Sequence, residues 1–220
     1  MATKQAILDK VRSAISDAKN SVPVIPPPPK VWDIEGLSAA EMNSRFETNL
    51  KSVGGQFVSC TDFQQAVDGI RALLHNAGAK KVAVMDRPLC RRIAERLPEI
   101  EWVFPPDDAA NITAADLAQV DAGLVLPEYL LSDTGSCVFS APAAFDRLIT
   151  YITPVSVVVA EKPMLRENLP ALWQELEPQL KTAATGEFVF VTGPSRTADI
   201  EKILVLGVHG PKTLAVFLID

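Results

Sequence analysis

Apolar residues recur along this chain in two rhythms, one of about 3.6 residues and one of short unbroken runs. At the amino terminus Ile7, Leu8, Val11 and Ile15 fall near one face of a helical repeat, and Ala14 and Ala18 add helix propensity. The first element is therefore an amphipathic helix over 4–19. Pro23 and Pro26 through Pro29 follow; they remove backbone donors and favour extended polyproline geometry. Residues 1–30 thus read as a helical arm on a semi-rigid, Pro-rich tether, and 31–220 as a single α/β domain. The proline run also has the composition of an SH3-type ligand.

Beyond the tether the two rhythms alternate. Ala40, Met42, Phe46 and Leu50 predict a helix from Ser38 to Val53, closed by Gly54-Gly55, and a short strand follows over 56–59. Thr61 or Asp62 can cap a helix carrying Phe63, Ala66, Val67, Ile70, Leu73 and Leu74, which Gly78 ends. Apolar runs at 82–85, 102–104, 122–126, 155–160, 188–191 and 214–219 read as buried strands, and helical spacing returns at 89–97 and from Pro163 to Leu180. Thr113, with Asp116 three residues later, has the form of a capping box and predicts another helix start. Alternation of this kind predicts an α/β fold with a mostly parallel sheet flanked by helices.

Two polar turns interrupt the strand-forming runs. Asp133-Thr134-Gly135-Ser136 lies between Leu130-Leu131 and Cys137-Val138-Phe139; it suits either a hairpin with Gly135 at positive φ or a ligand contact. After the run 188–191, Gly193-Pro194 starts a second turn, and Ser195, Arg196 and Thr197 lead into an expected helix with Asp199 and Glu201 in its first turn. Such a helix end, with two hydroxyls and a guanidinium beside it, could hold a carboxylate or phosphate. Capping by Ser195 or Thr197 accounts for the same residues without a ligand.

Composition narrows the function. The 220 residues are 48% apolar and 22% charged with a formal net charge of −6, and no Lys/Arg block interleaves with aromatics, which argues against nucleic-acid binding. No apolar stretch approaches the roughly 18 residues of a membrane span, and the amino terminus carries no secretory apolar region, so a cytoplasmic protein is expected. Cys60, Cys90 and Cys137 are far apart, and His75 and His209 are the two histidines; this spacing predicts reduced thiols and no metal site. Neither a dinucleotide-binding nor a phosphate-loop glycine pattern occurs, and no cofactor is expected.

The segment Gly193-Pro194-Ser195-Arg196-Thr197-Ala198-Asp199-Ile200-Glu201, followed by Gly207-Val208-His209-Gly210-Pro211, resembles the C-terminal signature of the lactate utilization protein C family of LUD-domain proteins. Leu131 to Ser136 is similar to that family's central motif, with Asp133 and Ser136 as conservative departures, and Ser156 stands where the resemblance leads one to expect a histidine. The resemblance implies a fold like that of the sugar-phosphate isomerases, glucosamine-phosphate deaminases and coenzyme A transferases. It also implies a place in L-lactate oxidation to pyruvate beside iron–sulfur partner proteins.

On that fold Thr134, Gly135, Ser136, Ser195, Arg196, Thr197, His209 and Gly210 would gather in one cleft around a small carboxylate or phosphate. A stand-alone isomerase, deaminase or acyl-transfer enzyme is the alternative, with Asp133 or Glu201 as base, Arg196 as anion clamp and His209 as proton carrier. A third reading is a ligand-free scaffold whose first helix docks on a partner or on a second copy to form a homo-oligomer.

Overall fold

The computed structural model describes residues 3–18, 34–109, 111–140, 143–180, 187–198, 204–207 and 210–220. The chain divides into two units, Met1–Asp33 and Ile34–Asp220. In the first, helix α1 (Lys4–Ala18) leaves its apolar stripe open, with Ile7 and Ile15 54% and 55% exposed.

The second unit is built on a six-stranded sheet in which every pairing is parallel. Its strands are β1 (Gln56–Cys60), β2 (Lys81–Val84), β3 (Glu101–Val103), β4 (Ala122–Val125), β7 (Val155–Glu161) and β12 (Thr213–Ile219), in the spatial order β1-β12-β7-β4-β2-β3. Patterning explains the order. β4, β7 and β12 are continuous apolar runs buried on both faces and take the centre, while β1 and β3 have exposed positions and form the edges. The α/β expectation and the parallel sheet both hold.

Local chemistry places the flanking helices. In α2 (Ala39–Ser52) the Ser38 hydroxyl accepts from the Glu41 amide while the Glu41 carboxylate accepts from the Ser38 amide, a full capping box. Asp62 caps α3 (Phe63–Asn76) by accepting from the Gln65 amide at 2.8 Å, and Pro88 opens α4 (Pro88–Arg96). Helix α5 (Ala144–Tyr151) has no side-chain cap and gives no start signal; the sequence reading did not anticipate it.

Three expected helix starts are corrected. Thr113 and Asp116 make the capping bonds, Thr113 N–H and Oγ1–H both donating to Asp116 Oδ2, but 114–119 continue as turns with three-residue spacing. The helix expected from Pro163 begins instead at Leu169. Lys162–Met164 is a 3₁₀ turn, Leu165–Arg166 is a short strand (β8), and Asn168 caps α6 (Leu169–Leu180) by accepting from the Ala171 amide. The third correction follows Ser195. Arg196–Ala198 is a strand (β10) paired antiparallel with β11 (Leu204–Leu206), so the amides that a helix end would have offered lie in a two-stranded ladder.

A second, four-stranded sheet has the order β8-β5-β6-β9, with β5 (Tyr129–Leu131), β6 (Ser136–Ser140) and β9 (Phe188–Val191). Leu130, Cys137, Phe139 and Leu165 join the main core, and Leu131 and Val138 pack with Leu172 and Leu176 of α6. Burial on both sides holds the β5–β6 hairpin in a fixed register.

Candidate functional site

The hairpin turn 132–135 carries the first candidate residues. Gly135 has φ +67°, and its amide donates to Leu131 O at 2.9 Å. A Cβ there would stand 2.3 Å from Leu50 N and 2.6 Å from Leu50 Cα, so the turn lies on the backbone of the last turn of α2. Asn49 fastens it, its Nδ2 donating to Ser132 O at 2.8 Å and Asp133 O at 3.0 Å.

The β6–β9 register, Cys137 opposite Val191, brings the end of β9 beside the start of β6. Ser136 Oγ–H donates to Thr134 Oγ1 at 2.8 Å, and Ser136 Oγ lies 2.6 Å from Thr192 Oγ1. Three hydroxyls from two turns thus form one chain. Gly193, at φ +77°, approaches Val53 so closely that a Cβ would sit 2.9 Å from Val53 O. Arg196 lies across Gly54, its Nη2 3.0 Å from where a Cβ on that glycine would be. The guanidinium therefore stands beside the carbonyl end of α2, where a cation complements the helix dipole.

The third turn joins through Ser195. Its amide donates to Pro211 O at 2.8 Å, its carbonyl accepts from Gly207 N–H at 3.1 Å, and a Cβ on Gly210 would be 3.0 Å from Ser195 Cβ. Thr134, Gly135, Ser136, Ser195, Arg196 and Gly210 therefore meet in one neighbourhood around the C-terminal end of α2. The backbone of Thr197 continues from it in β10, while His209, Glu201 and Asp199 lie outside the described residues.

Its position differs from the strand-end crevice expected for the fold. Gly54-Gly55 lead into β1 and Gly210 to Lys212 lead into β12, so these turns border strand beginnings, and Lys212 N–H donates to Pro154 O just before β7. Asn49, Val53 and Thr192 are the members that sequence reasoning missed. Asn49 and Val53 belong to a predicted helix whose packing partner only the tertiary structure reveals; Thr192 was visible as the hydroxyl beside Gly193.

Burial pushes the Asp133 carboxyl up, against hydrogen bonds from the Thr134 hydroxyl and amide and the charge of Arg45. Its Oδ1 and the Ser132 Oγ are buried with no hydrogen-bond partner among the described residues. A carboxyl raised by burial beside a hydroxyl chain takes a proton more readily than an ordinary aspartate.

The three thiols are buried, unpaired and separate, and burial pushes Cys90 up to about 12. Among the described residues no group of three or more His, Cys, Asp or Glu side chains is placed to hold a metal ion. No helix among them is long and apolar enough to cross a membrane. Ser156 is buried in β7 between Gly123 of β4 and Leu214 of β12, and its Oγ has no partner among the described residues.

Comparison with known proteins places this architecture. Lactate utilization protein C of Bacillus pumilus is 26% identical over 204 residues, spanning 86% of this chain and 83% of that protein. Its Bacillus subtilis namesake is 22% identical over 99% of this chain and 96% of its own length. Escherichia coli YkgG is 36% identical over 136 residues, 58% of this chain and 56% of that protein. The crystal structure of a DUF162 family protein from Deinococcus radiodurans shares the fold, with a TM-score of 0.61 and 18% identity over 84% of this chain and 99% of that one. Residues 43–219, from within α2 to the end of β12, match the model of the LUD domain, and the chain belongs to the LUD domain family.

Proposed function

We propose that this chain serves lactate utilization as a ligand-binding subunit, acting with iron–sulfur partner proteins that carry the electrons of lactate oxidation. Relatives named lactate utilization protein C that align along most of the chain support the process. The observation that carries the binding role is the meeting of three separate turns at the end of α2, with the Thr134–Ser136–Thr192 hydroxyls linked and Arg196 exposed beside them. In this reading Arg196 forks a small carboxylate or phosphate, with Ser195, Thr134 and Gly210 next to it. Buried, widely separated thiols suit a subunit through which electrons do not pass.

The correction after Ser195 changes the energetics of this reading. With 196–198 in a strand there is no helix dipole to assist, so the anion depends on the guanidinium alone, through charge-assisted bonds of about 1.5–3 kcal/mol each. Titration of L-lactate, pyruvate, a sugar phosphate and a coenzyme A thioester into wild type and Arg196→Ala tests it. Loss of about 10- to 100-fold in the variant is expected. Equal affinity in both proteins would leave Arg196 as a partner of the α2 carbonyl end. Tight turnover of a sugar phosphate by the purified chain would favour the isomerase alternative.

A further inference from the structure

The main sheet has a second place of interest, at the opposite ends of its strands. The connection out of β2 runs through α4 to β3 on one side, while β4 leads away on the other side to β7, so the loops leaving neighbouring strands β2 and β4 diverge. A crevice between diverging loops at the carboxyl ends of parallel strands is where open α/β sheets most often take their ligands. Here Met85 N–H donates to Leu124 O, which extends the β2–β4 pairing by one residue. Arg87 N–H then donates to Met85 O at 2.8 Å in a tight turn that delivers Arg87 to the N-cap of α4 without a side-chain cap bond.

Three ionisable groups lie within electrostatic reach of one another at this point. Arg87 Nη2 donates to Asp146 Oδ2 of α5 at a long 3.4 Å, and Nη1 donates to Asp86 O at 3.3 Å, which leaves most of the five guanidinium donors unspent. The Asp146 side chain is 8% exposed and that of Arg87 30%, so the pair is buried on the carboxylate side and open on the guanidinium side. Glu128, half-buried and immediately before β5, accepts from Ser140 N–H through Oε2 at 2.6 Å, and its Oε1 has no bond among the described residues. Arg87 is thus paired with Asp146, and the charges of both act on the Glu128 carboxyl. Asp86, the remaining charge nearby, is held by Arg91.

We infer that this crevice is a second ligand site, independent of Arg196, which binds a small carboxylate together with one proton: Arg87 forks the carboxylate and Glu128, protonated, donates to it through Oε1. Charge balance requires the proton. With both carboxyls ionised the crevice already carries one negative charge in excess, and a third carboxylate would be repelled. Protonation of Glu128 removes that repulsion and turns a free acceptor into a donor. The group best placed to take the proton is Glu128, since burial and the Asp146 charge favour its neutral form, while the Ser140 amide and Arg87 oppose it. Asp146 is raised by burial as well, but Arg87 bonds it directly.

The experiment is a titration of acetate and of L-lactate into the full chain carrying Arg196→Ala, between pH 5.5 and 8.5, so that the turns around α2 bind about 10- to 100-fold more weakly. Binding that weakens by up to about tenfold per pH unit on the alkaline side is expected. Adding Glu128→Gln, which imitates the protonated carboxyl, should flatten that profile and tighten binding at pH 8. Adding Arg87→Lys, which keeps the charge beside Asp146 but not the fork, should weaken binding about tenfold at every pH. Asp146→Asn frees the guanidinium and should strengthen it. Thermal melts of each protein separate these effects from misfolding. Absence of carboxylate binding in Arg196→Ala would overturn this second site while leaving the proposed function intact; so would binding that is indifferent to pH and to Arg87→Lys. Loss of phosphate or lactate binding at Arg196 bears on the proposed function alone.

Discussion

Glu167 offers a perturbation whose size can be worked from the structure. It is 5% exposed and sits between β8 and α6, and apart from a long 3.4 Å bond from Asn168 Nδ2 its carboxylate accepts from a distant segment. Gly36 N–H donates to Oε2 at 2.8 Å, Leu37 N–H to the same oxygen at 3.1 Å, and Glu35 N–H donates to Oε1. Three successive amides around a carboxylate form an anion nest, and Gly36, at φ +74°, supplies the turn it needs. This clasp fastens residues 34–38, and with them the capping box of α2, to the body of the domain. Desolvation raises the Glu167 carboxyl, but the three amide bonds together with Arg45 outweigh it and hold the group below the usual glutamate range.

The sign follows from that depression. Above the unfolded value of about 4.3 the clasp contributes fully, and it is lost as pH falls through the lower folded value. Glu167→Gln leaves one acceptor oxygen for three donors and turns an NH₂ toward an amide. At about 1.5–3 kcal/mol per charge-assisted bond, and with partial rescue by the remaining carbonyl and by water at this surface segment, the loss should be about 2–4 kcal/mol. Most of it should appear as local release, because Glu35 and Gly36 are exposed and the rest of the core does not depend on them. Hydrogen exchange reads this directly. The Glu35, Gly36 and Leu37 amides should exchange about 30- to 1000-fold faster in Glu167→Gln at pH 7, and the wild-type protection should fade below pH 4 while the variant shows no such step. Retained protection in the variant, or an identical acid profile, would refute the clasp.

Two further changes test the architecture. Gly135→Ala places a methyl against the Leu50 backbone at a φ of +67° and should cost about 3–5 kcal/mol, read by urea denaturation; a loss under about 1 kcal/mol would mean the turn can retreat from α2. We propose that residues 1–30 form an arm separate from the 31–220 domain, because an isolated 15-residue helix with an open apolar stripe is marginal in water and needs a partner. Its removal should leave the melting temperature of the domain within a few degrees while abolishing self-association or partner capture by light scattering and pull-down, and an unfolded remainder would show the division to be wrong.

Elements carried by local chemistry were readable in the chain. The helix start at Ser38, the Asp62 cap, the apolar runs of β4, β7 and β12 and the positive-φ Gly135 each declare themselves within a few residues, and the structure has them there. Failures came where a distant strand outbid a local signal. The stretch from Ser195 has the residues of a helix start, but its backbone is claimed on both sides: Ser195 by Pro211 and Gly207, and 196–198 by 204–206. Pro163 likewise opens only a 3₁₀ turn because Leu165 and Arg166 pair with β5, and the helix waits for Asn168. The meeting of the 134–136 turn, the 195–197 turn and the 209–210 loop was expected from the fold that the resemblance implies; that Gly135, Arg196 and Gly210 come together around α2, at strand beginnings, depended on packing that no local pattern encodes.

The same distinction explains why Arg87, Glu128 and Asp146 escaped a reading that found Arg196. Arg196 sits among glycine, proline and hydroxyl residues that mark a turn, whereas Arg87 follows an ordinary strand and Asp146 lies in a helix without start signals. What singles them out is strand order. Only when β4 is seen to lie between β2 and β7 do the two loops diverge, and only then does a guanidinium after β2 face a carboxyl after β4. A cation at the carbonyl end of a helix complements its dipole, and Arg196 has that position beside α2. A half-buried Arg87 with unspent donors beside two raised carboxyls contributes little to stability by comparison, since its one ion pair is long and its burial costs solvation. Of the two guanidiniums, Arg196 is exposed in a turn whose residue types mark it, whereas Arg87 is half-buried in an ion pair and only the strand order reveals it.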